Sequence, residues 1–331
     1  MGPTLFDKRF IIVAGKGGVG KSVVCAAIGH AAAARGLRTC IAELNTREKA
    51  PLFFGRSPHG YRYGELAPNL FSINIQPEPA LREYGLMKLR FEKLFELVFE
   101  NEAMRRLVRV IPGMNELFLL GKAFNMERER GRDGRPVWDL VIVDAPATGH
   151  GVSLLRLPET ILKVADSGPM REEVGAMRDL LVDPRRTLLN LVTLPEEMPV
   201  RETFELAAQT STALGIPKGY LVVNGVWPRF ASDADVRLGA ALADLLPPDA
   251  TASRAALESL ASMHRRRDFQ DGHIADLRQN LAWPFVELPY LFSARFDAAT
   301  IAELAAILVP QLSGTQPATL AAAPDAPWSS A

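Results

Sequence analysis

The stretch Gly15-Lys16-Gly17-Gly18-Val19-Gly20-Lys21-Ser22 decides the fold of this chain. An apolar run, residues 10–14, precedes it, and an alanine-rich segment, residues 23–35, follows it, so it joins a predicted strand to a predicted helix. In that context a GxxxxGK(S/T) pattern is a phosphate-binding P-loop, because the glycines let backbone N–H groups turn toward phosphate and the helix start adds positive charge. We expect the nucleotide to contact the loop and Val23. Lys21 is expected to bind the β- and γ-phosphates, and Ser22 is expected to coordinate Mg²⁺. The alternative is a glycine turn ahead of a helix.

One lysine in this loop, Lys16, is not needed for the phosphate cradle. Lysine at this second position is typical of the deviant Walker A ATPases, in which it resembles a finger inserted into the nucleotide site of the facing subunit. A charge supplied in trans accelerates phosphoryl transfer by ~10³–10⁵. Lys16 therefore predicts a dimer with nucleotide at the interface, whereas a solvated loop lysine is the alternative.

A second apolar run, Val141-Ile142-Val143, ends in the carboxylate of Asp144, which is the form of a Walker B strand. With a P-loop in the same chain, Asp144 is predicted to hold Mg²⁺, directly or through water. An aspartate at a strand end often only caps a helix, and that is the alternative. The small residues that follow, 145–150, suit a switch loop that reorders around a γ-phosphate.

Composition excludes several classes of protein. Lys+Arg and Asp+Glu are both 38, so no net field attracts the chain to nucleic acid or acidic lipid, and no nucleic-acid partner is expected. The two cysteines, Cys25 and Cys40, form no CxxC pair, which excludes a zinc clamp. Three observations indicate a cytoplasmic protein. Cysteines are scarce, the charged N-terminal segment is unlike a signal peptide, and no apolar run reaches the ~18 residues needed to span a membrane.

The order of apolar runs predicts an α/β fold, a mostly parallel sheet wrapped by helices on both faces. Two helical segments interrupt the alternation of strands and helices, at about 77–126 and 164–182, and are predicted to form a helical insertion subdomain. We call them the first and second excursions. The charged segment 127–136 is predicted to form a mobile loop. We expect one P-loop domain over 1–312 and a disordered tail over 313–331. The predicted strands are 10–14, 39–44, 71–75, 140–144, 188–194, 220–224 and 285–288.

Three motifs resemble a known family. The motifs are, in this order, GKGGVGKS, DAPATGH with LLRLPET, and VTLPEEMPVRET over 192–203. The family that they look like is that of the arsenical pump-driving ATPase and the guided-entry ATPases, which carry tail-anchored membrane proteins. The likeness covers roughly residues 10–309. It implies a homodimer, with a related subunit as the alternative partner. It also implies two Mg·ATP at the interface, Lys16 acting across it, and helical subdomains that open and close with nucleotide.

The resemblance assigns roles to further residues. Asn224 matches an asparagine that hydrogen-bonds adenine, although a strand-terminating turn residue is the alternative, and Pro289 falls in a second adenine-side loop. Asn45 stands where the family has an aspartate that positions the attacking water, and an amide takes no proton, so we predict slow hydrolysis. Glu43 is the candidate substitute, since strand alternation places its side chain on the same side as that of Asn45. The predicted catalytic residues are Lys16, Lys21, Glu43, Asn45 and Asp144.

The first excursion is rich in Met, Phe and Leu, and over residues 86–99 these cover more than the ~100° stripe of a single core contact. Such a surface suits a hydrophobic or membrane-associated protein segment, with an ordinary subdomain core as an equal alternative. The sequence therefore predicts a dimeric, Mg-dependent ATPase that binds ATP or ADP and a hydrophobic cargo. The alternatives are a nucleotide-gated regulatory switch with little hydrolysis, and a metalloid-pump subunit, which the lack of a cysteine cluster disfavours.

Overall fold

The computed structural model describes residues 5–89, 113–164, 167–293 and 295–312, so the predicted disordered tail lies outside it. The described strands are β1 Phe10–Ala14, β2 Thr39–Leu44, β3 Gly64–Ala67, β4 Leu70–Ile75, β5 Leu140–Asp144, β6 Thr187–Thr193, β7 Lys218–Val226 and β8 Phe285–Pro289. They form one sheet in the order β3-β4-β2-β5-β1-β6-β7-β8. All neighbours are parallel except β3, which pairs antiparallel with β4 at one edge.

Helices connect the strands, as parallel pairing requires. In the described residues they are α1 Lys21–Ala33, α2 Ala50–Phe53, α3 Pro77–Leu89, α4 Met114–Arg128, α5 Thr148–Val164, α6 Pro169–Val182, α7 Glu197–Ala207, α8 Asp233–Leu245, α9 Thr251–Asn280 and α10 Ala298–Leu312. A π-helical segment, Ala208–Ala213, continues α7. None of these described helices combines the length and the apolar character that crossing a membrane requires.

The central strand β1 is buried on both faces, which accounts for its unbroken apolar sequence. Phe10 and Ile12 belong to the core on one face, together with side chains of α4, α5 and α6. Ile11 and Val13 belong to the core on the other face, together with side chains of α1 and α10. The loop that follows β1 is therefore anchored in the middle of the sheet.

The predicted α/β fold is confirmed, and each predicted strand agrees with an observed strand to within two residues at either end. The predicted helix after the P-loop is α1, which begins at Lys21 and ends at Ala33 within the alanine-rich segment. The edge strand β3 was not predicted. Only Leu66 of its four residues is buried, so it carries no apolar pattern that would distinguish it from a loop.

The described part of the first excursion forms α3 and α4. Residues 90–112, which include most of the apolar segment 86–99, lie outside the described residues. Leu119, Leu120 and Phe124 of α4 are core residues rather than lining of a groove. The helical subdomain remains a prediction.

The loop predicted over 127–136 begins later than expected, because α4 continues to Arg128. Glu127 lies in the last turn of α4 and is 1% exposed. Its carboxylate accepts hydrogen bonds from Arg186 and, at 2.8 Å, from Nε of Arg9. Burial raises the pKa of this carboxyl, but the bonds from Arg186 and Arg9 outweigh burial and lower it. Because the two arginines immediately precede β6 and β1, this ion triad fixes α4 at the amino ends of the strands.

Candidate nucleotide site

The carboxyl ends of three neighbouring strands bring the predicted site residues together. β5 lies between β1 and β2, with Asp144 level with Val13 on one side and with Glu43 on the other. The P-loop follows β1 directly, so it lies at the same edge of the sheet as both carboxylates. Ligands bind at this edge in open α/β sheets, because the loops and helix starts converge there.

The P-loop has the backbone of an anion cradle. Gly18 and Gly20 adopt φ angles of 87° and 95°, in the left-handed region, and α1 begins at the next residue, Lys21. The first N–H groups of a helix lack partners within the helix and can bind phosphate. A Cβ placed on Gly17 would lie 3.6 Å from Cβ of Ala147, so the predicted switch loop lies against the P-loop.

Lys21 lies inside the loop. Its Nζ donates to the carbonyl oxygens of Gly15 and Lys16 at 3.1 and 2.9 Å. Burial lowers the pKa of this ammonium group, while the charge of Asp144 opposes that shift. Phosphate oxygens form stronger, charge-assisted bonds than neutral carbonyls do, so Lys21 is placed to exchange these partners for phosphate.

Ser22 and Asp144 form a direct side-chain hydrogen bond between the P-loop helix and the Walker B strand. Oγ of Ser22 donates to Oδ2 of Asp144 at 2.6 Å, and Asp144 is 4% exposed. Burial raises the pKa of the Asp144 carboxyl, and the bond from Ser22 and the charge of Lys21 oppose the rise. A hydroxyl and a carboxylate oxygen are hard ligands of the kind Mg²⁺ prefers, so the residues present fit that ion.

Asn224 holds the P-loop. Its Nδ2 donates to the carbonyl oxygen of Val19 at 2.9 Å, which ties β7 to the loop. Asn224 does not end β7, which continues to Val226. The side-chain oxygen takes no part in this bond, and an adenine contact remains a prediction. A Cβ on Gly20 would overlap Nδ2 of Asn224, so only glycine fits there.

Replacing Gly20 by alanine is expected to cost about 1–3 kcal/mol of unfolding free energy from its positive φ alone. It is also expected to weaken ADP binding, because the new Cβ displaces the amide of Asn224. Gly36→Ala is the matched control, since Gly36 has a φ of 82° but open space around it. Urea unfolding and ADP titration measure both variants. Equal losses in the two would show that the Asn224 contact contributes nothing.

Lys16 forms an ion pair within its own chain. Its Nζ lies 2.8 Å from Oε1 of Glu202, and the two side chains are 30% and 28% exposed. Glu202 lies on α7, so the pair joins the P-loop to the VTLPEEMPVRET motif. A partly solvated ion pair is worth little free energy, so Lys16 can exchange it for a more highly charged anion. The pairing of Glu202 with Lys16 was not predicted, because no sequence spacing relates Glu202 to the P-loop.

Glu43 is a buried carboxylate beside Asp144. It is 1% exposed, and its Oε1 accepts bonds from the backbone N–H groups of Lys49 and Ala50 at 2.7 and 3.3 Å. Its Oε2 is buried and has no hydrogen-bond partner among the described residues. Burial raises the pKa of this carboxyl to about 7; the Lys49 bond opposes the rise and the charge of Asp144 adds to it. Such a group can accept a proton near neutral pH.

Asn45 lies outside β2, and its backbone differs from the strand-like geometry that the sequence suggested. Its φ is 45°, in the left-handed region, and its N–H donates to the carbonyl oxygen of Ile75 at 2.8 Å. The expected alternation with Glu43 therefore stops at Leu44, and Asn45 is exposed while Glu43 is buried. Asparagine tolerates this backbone better than most residues, because its short side chain bonds locally.

Pro289 ends β8 at the side of the site predicted for adenine. Beyond it, the rings of Trp227, Tyr290 and Phe292 pack with centroids 4.9 to 5.4 Å apart. Tyr290 and Phe292 are 44% and 59% exposed, and the guanidinium of Arg266 lies 4.5 Å from the Trp227 ring. This aromatic cluster was not predicted, although the aromatic residues that follow β7 and β8 in the sequence were a usable signal.

Comparisons with known proteins agree with these motifs. The profile of a family described as anion-transporting ATPase matches residues 8–167, about half of the chain. The chain is 29% identical to the ATPase BagA of Mycobacterium tuberculosis over 329 residues, which cover 92% of this chain and 93% of that protein. It is 24% identical to the ATPase ASNA1 homolog of Entamoeba histolytica over 264 residues, 66% and 77% of the two chains. It is 26% identical to the arsenical pump-driving ATPase of Escherichia coli over 238 residues, 66% and 40% of the two chains.

Proposed function

Because this chain belongs to the anion-transporting ATPase family, we propose that it is a Mg-dependent, dimeric ATPase that couples ATP binding and hydrolysis to a change in an apolar binding surface. The observation that carries the proposal is the hydrogen bond between Ser22 and Asp144 directly beneath the P-loop. It joins the two elements that a nucleotide-dependent switch must connect, the phosphate cradle and the strand that leads into the switch loop.

Each residue of the site has a chemical role in this proposal. Lys21 and the first N–H groups of α1 bind the β- and γ-phosphate oxygens. Ser22 and Asp144 would hold Mg²⁺, which neutralises charge on those oxygens. Glu43 accepts the proton of the attacking water through its unused Oε2, and Asn45 orients that water through its amide. Phosphoryl transfer depends mainly on positioning and charge, so this set supports slow turnover.

The dimer is proposed from Lys16. Within one protomer, its ammonium group pairs with Glu202 on the partly solvated surface beside the P-loop. An ATP-bound partner would present a triphosphate, whose charge attracts an ammonium group more strongly than a single carboxylate does. We propose that Lys16 leaves Glu202 and enters the partner's site as the dimer closes. A homodimer is the simplest form, and pairing with a related subunit is the alternative.

A hydrophobic protein segment is the cargo we propose, in preference to a metalloid. The two cysteines of the chain, Cys25 and Cys40, are free and fully buried, and burial raises the pKa of both thiols. Metalloid binding requires accessible thiolates, so neither residue is suited to it. Reduced, buried thiols agree with a cytoplasmic location, which we also propose.

A regulatory switch with little hydrolysis is the second candidate. It is favoured by Asn45, which supplies an exposed amide where a carboxylate would take a proton directly. In that case ATP closes the dimer and a docked protein senses the closed form. A turnover measurement separates the two candidates, since slow but Mg-dependent phosphate release is expected of the ATPase and almost none of the switch.

The proposal is tested on the purified full-length chain. We expect phosphate release that requires Mg²⁺, with kcat below ~1 s⁻¹, and a doubling of the mass by light scattering in Mg·ATP but not in ADP. A mass that stays that of one protomer at saturating ATP would contradict the dimer. Phosphate release no faster than in the absence of protein would contradict the ATPase and leave the regulatory switch as the remaining candidate.

The cargo has its own experiment. A photo-crosslinker at position 87, in α3, is expected to capture an apolar 20-residue helical peptide when ATP is present, 20 residues being roughly one membrane span. The control is a crosslinker at Arg185, an exposed position next to the amino end of β6. Capture at neither position, or equally at both, would contradict a specific surface for a hydrophobic segment.

A further inference from the structure

A second cluster of ligating side chains lies far from the P-loop in sequence, where α8 and α9 meet. Nε2 of His264 lies 2.9 Å from a carboxylate oxygen of Asp233 and 3.2 Å from one of Asp268. The three ligand atoms all lie within 4.8 Å of one another. The imidazole is buried, with a side-chain exposure of 7%, whereas Asp233 and Asp268 are 73% and 48% exposed.

The other ring nitrogen fixes the tautomer of His264. Nδ1 lies 3.1 Å from the backbone carbonyl oxygen of Ala231. A carbonyl oxygen only accepts hydrogen bonds, so Nδ1 must carry a proton. In the neutral imidazole, Nε2 then presents a lone pair, and that lone pair faces two carboxylates that also only accept. Three acceptors this close repel one another unless a positive species lies between them.

Two species can satisfy this arrangement: a proton on Nε2, or a divalent cation bound by all three atoms. A single N–H directed at Asp233, at 2.9 Å, leaves Asp268 only the longer contact of 3.2 Å. A cation uses all three lone pairs. The supporting contacts are those of a metal site, because a ligating histidine commonly donates its other N–H to a backbone carbonyl. The second oxygen of Asp268 is held by Nη1 of Arg229 at 2.9 Å, which fixes the direction of the first.

We propose that Asp233, His264 and Asp268 bind a divalent transition-metal ion of the zinc type. One imidazole nitrogen and two carboxylate oxygens suit Zn²⁺, which accepts both kinds of ligand, better than Mg²⁺ or Ca²⁺, which prefer oxygen alone. The exposed side of the two aspartates leaves a fourth position open to water. The ion joins the first turn of α8 to the middle of α9, and so fixes the base of this helical hairpin.

The position of this cluster suggests what a bound ion would stabilise. His264 bonds to Ala231, in the segment between β7 and α8, and Arg229 of the same segment bonds to Asp268 and Asp271 of α9. The ion would therefore hold this whole connection against α9. An N-cap bond from Asp235 to Ser232 closes the start of α8 independently of the ligands.

The test is a Zn²⁺ titration of the full chain, followed with a chromophoric chelator in millimolar Mg²⁺, which occupies sites made of oxygen ligands only. We expect one Zn²⁺ per chain and a rise in melting temperature on binding. We expect Co²⁺ to give visible absorption bands that report nitrogen and oxygen ligands. Asp233→Asn, Asp268→Asn and His264→Gln should each weaken Zn²⁺ binding by at least about tenfold.

Asp271→Asn is the matched control, since Asp271 is a neighbouring carboxylate that pairs with Arg229 and Arg267 but not with His264. Its Zn²⁺ affinity should fall clearly less than that of Asp233→Asn, because Asp271 supplies no ligand atom to the ion. Asp233→Asn keeps the N-cap of α8, so this variant reports on the ligand even where His264→Gln fails to fold. Binding of less than one equivalent, or equal affinity of Asp233→Asn and Asp271→Asn, would overturn the site and identify the cluster as a protonated ion triad.

Discussion

Replacing Lys16 by alanine is expected to lower kcat for ATP hydrolysis by ~10³-fold or more, the effect of removing a charge supplied in trans to phosphoryl transfer. Binding of ADP to a single protomer should change little, because Lys21 and the loop backbone remain. Light scattering should also show that the variant no longer doubles its mass in Mg·ATP. Lys218→Ala is the control, as Lys218 is an exposed lysine at the amino end of β7, opposite the P-loop edge.

Mixing experiments separate action across the interface from action within one chain. A Lys16→Ala protomer keeps its own phosphate cradle, and a Lys21→Ala protomer keeps its Lys16, so their mixed dimer contains one complete site. Phosphate release should therefore reappear when the two inactive variants are mixed. No recovery, in a mixture that scattering shows to be dimeric, would contradict transfer of Lys16 to the partner.

The variant Glu202→Gln tests the transfer of Lys16 to the partner's site independently. The substitution removes the charge that holds Lys16 in its own chain but keeps the shape of the side chain. Dimerisation in Mg·ATP should then require less nucleotide, by a few-fold, because an exposed ion pair is worth ~1 kcal/mol or less. If dimerisation instead requires more nucleotide, Glu202 contributes to the interface itself.

The parts of the site that were predictable from sequence are those encoded locally. A strand, a glycine loop and a helix follow one another without interruption, so the P-loop was readable from residues 10–35. Asp144 was equally accessible, since it ends an apolar run of strand length. The burial of both strand faces then required helices on both sides, which is the observed architecture.

The parts that were not predictable depend on contacts between distant segments. Nothing in the sequence near Lys16 indicates Glu202, and nothing near Glu127 indicates Arg9 or Arg186, because each pair meets only when the sheet assembles.

Asn45 shows a different limit of prediction from sequence. Strand alternation placed its side chain with that of Glu43, but the left-handed φ of Asn45 is set by where β2 ends, and apolar pattern defines strand ends poorly.

The second large effect is expected at Glu43. Glu43→Gln should lower kcat by ~10²–10⁴, the usual contribution of a positioned general base. Glutamine keeps a carbonyl oxygen for the N–H groups of Lys49 and Ala50, so the start of α2 is preserved and the loss reports on the missing carboxylate. Glu48→Gln is the matched control, because Glu48 is also a buried carboxylate that accepts two backbone N–H bonds, from His59 and Gly60.

The pH dependence gives the same hypothesis a second readout. A base acts in its deprotonated form, and burial raises the pKa of Glu43 to about 7. Below that value the carboxyl of the free protein is mostly protonated, so kcat/KM should fall about tenfold for each pH unit, and above it kcat/KM should level off. Initial rates of phosphate release between pH 5.5 and pH 8.5 (about three units around the pKa) measure this profile. Glu43→Gln should lose the slope and Glu48→Gln should retain it. A Glu43→Gln variant with wild-type turnover and an unchanged profile would remove Glu43 from the chemistry and leave Asn45 and the switch loop to position the water.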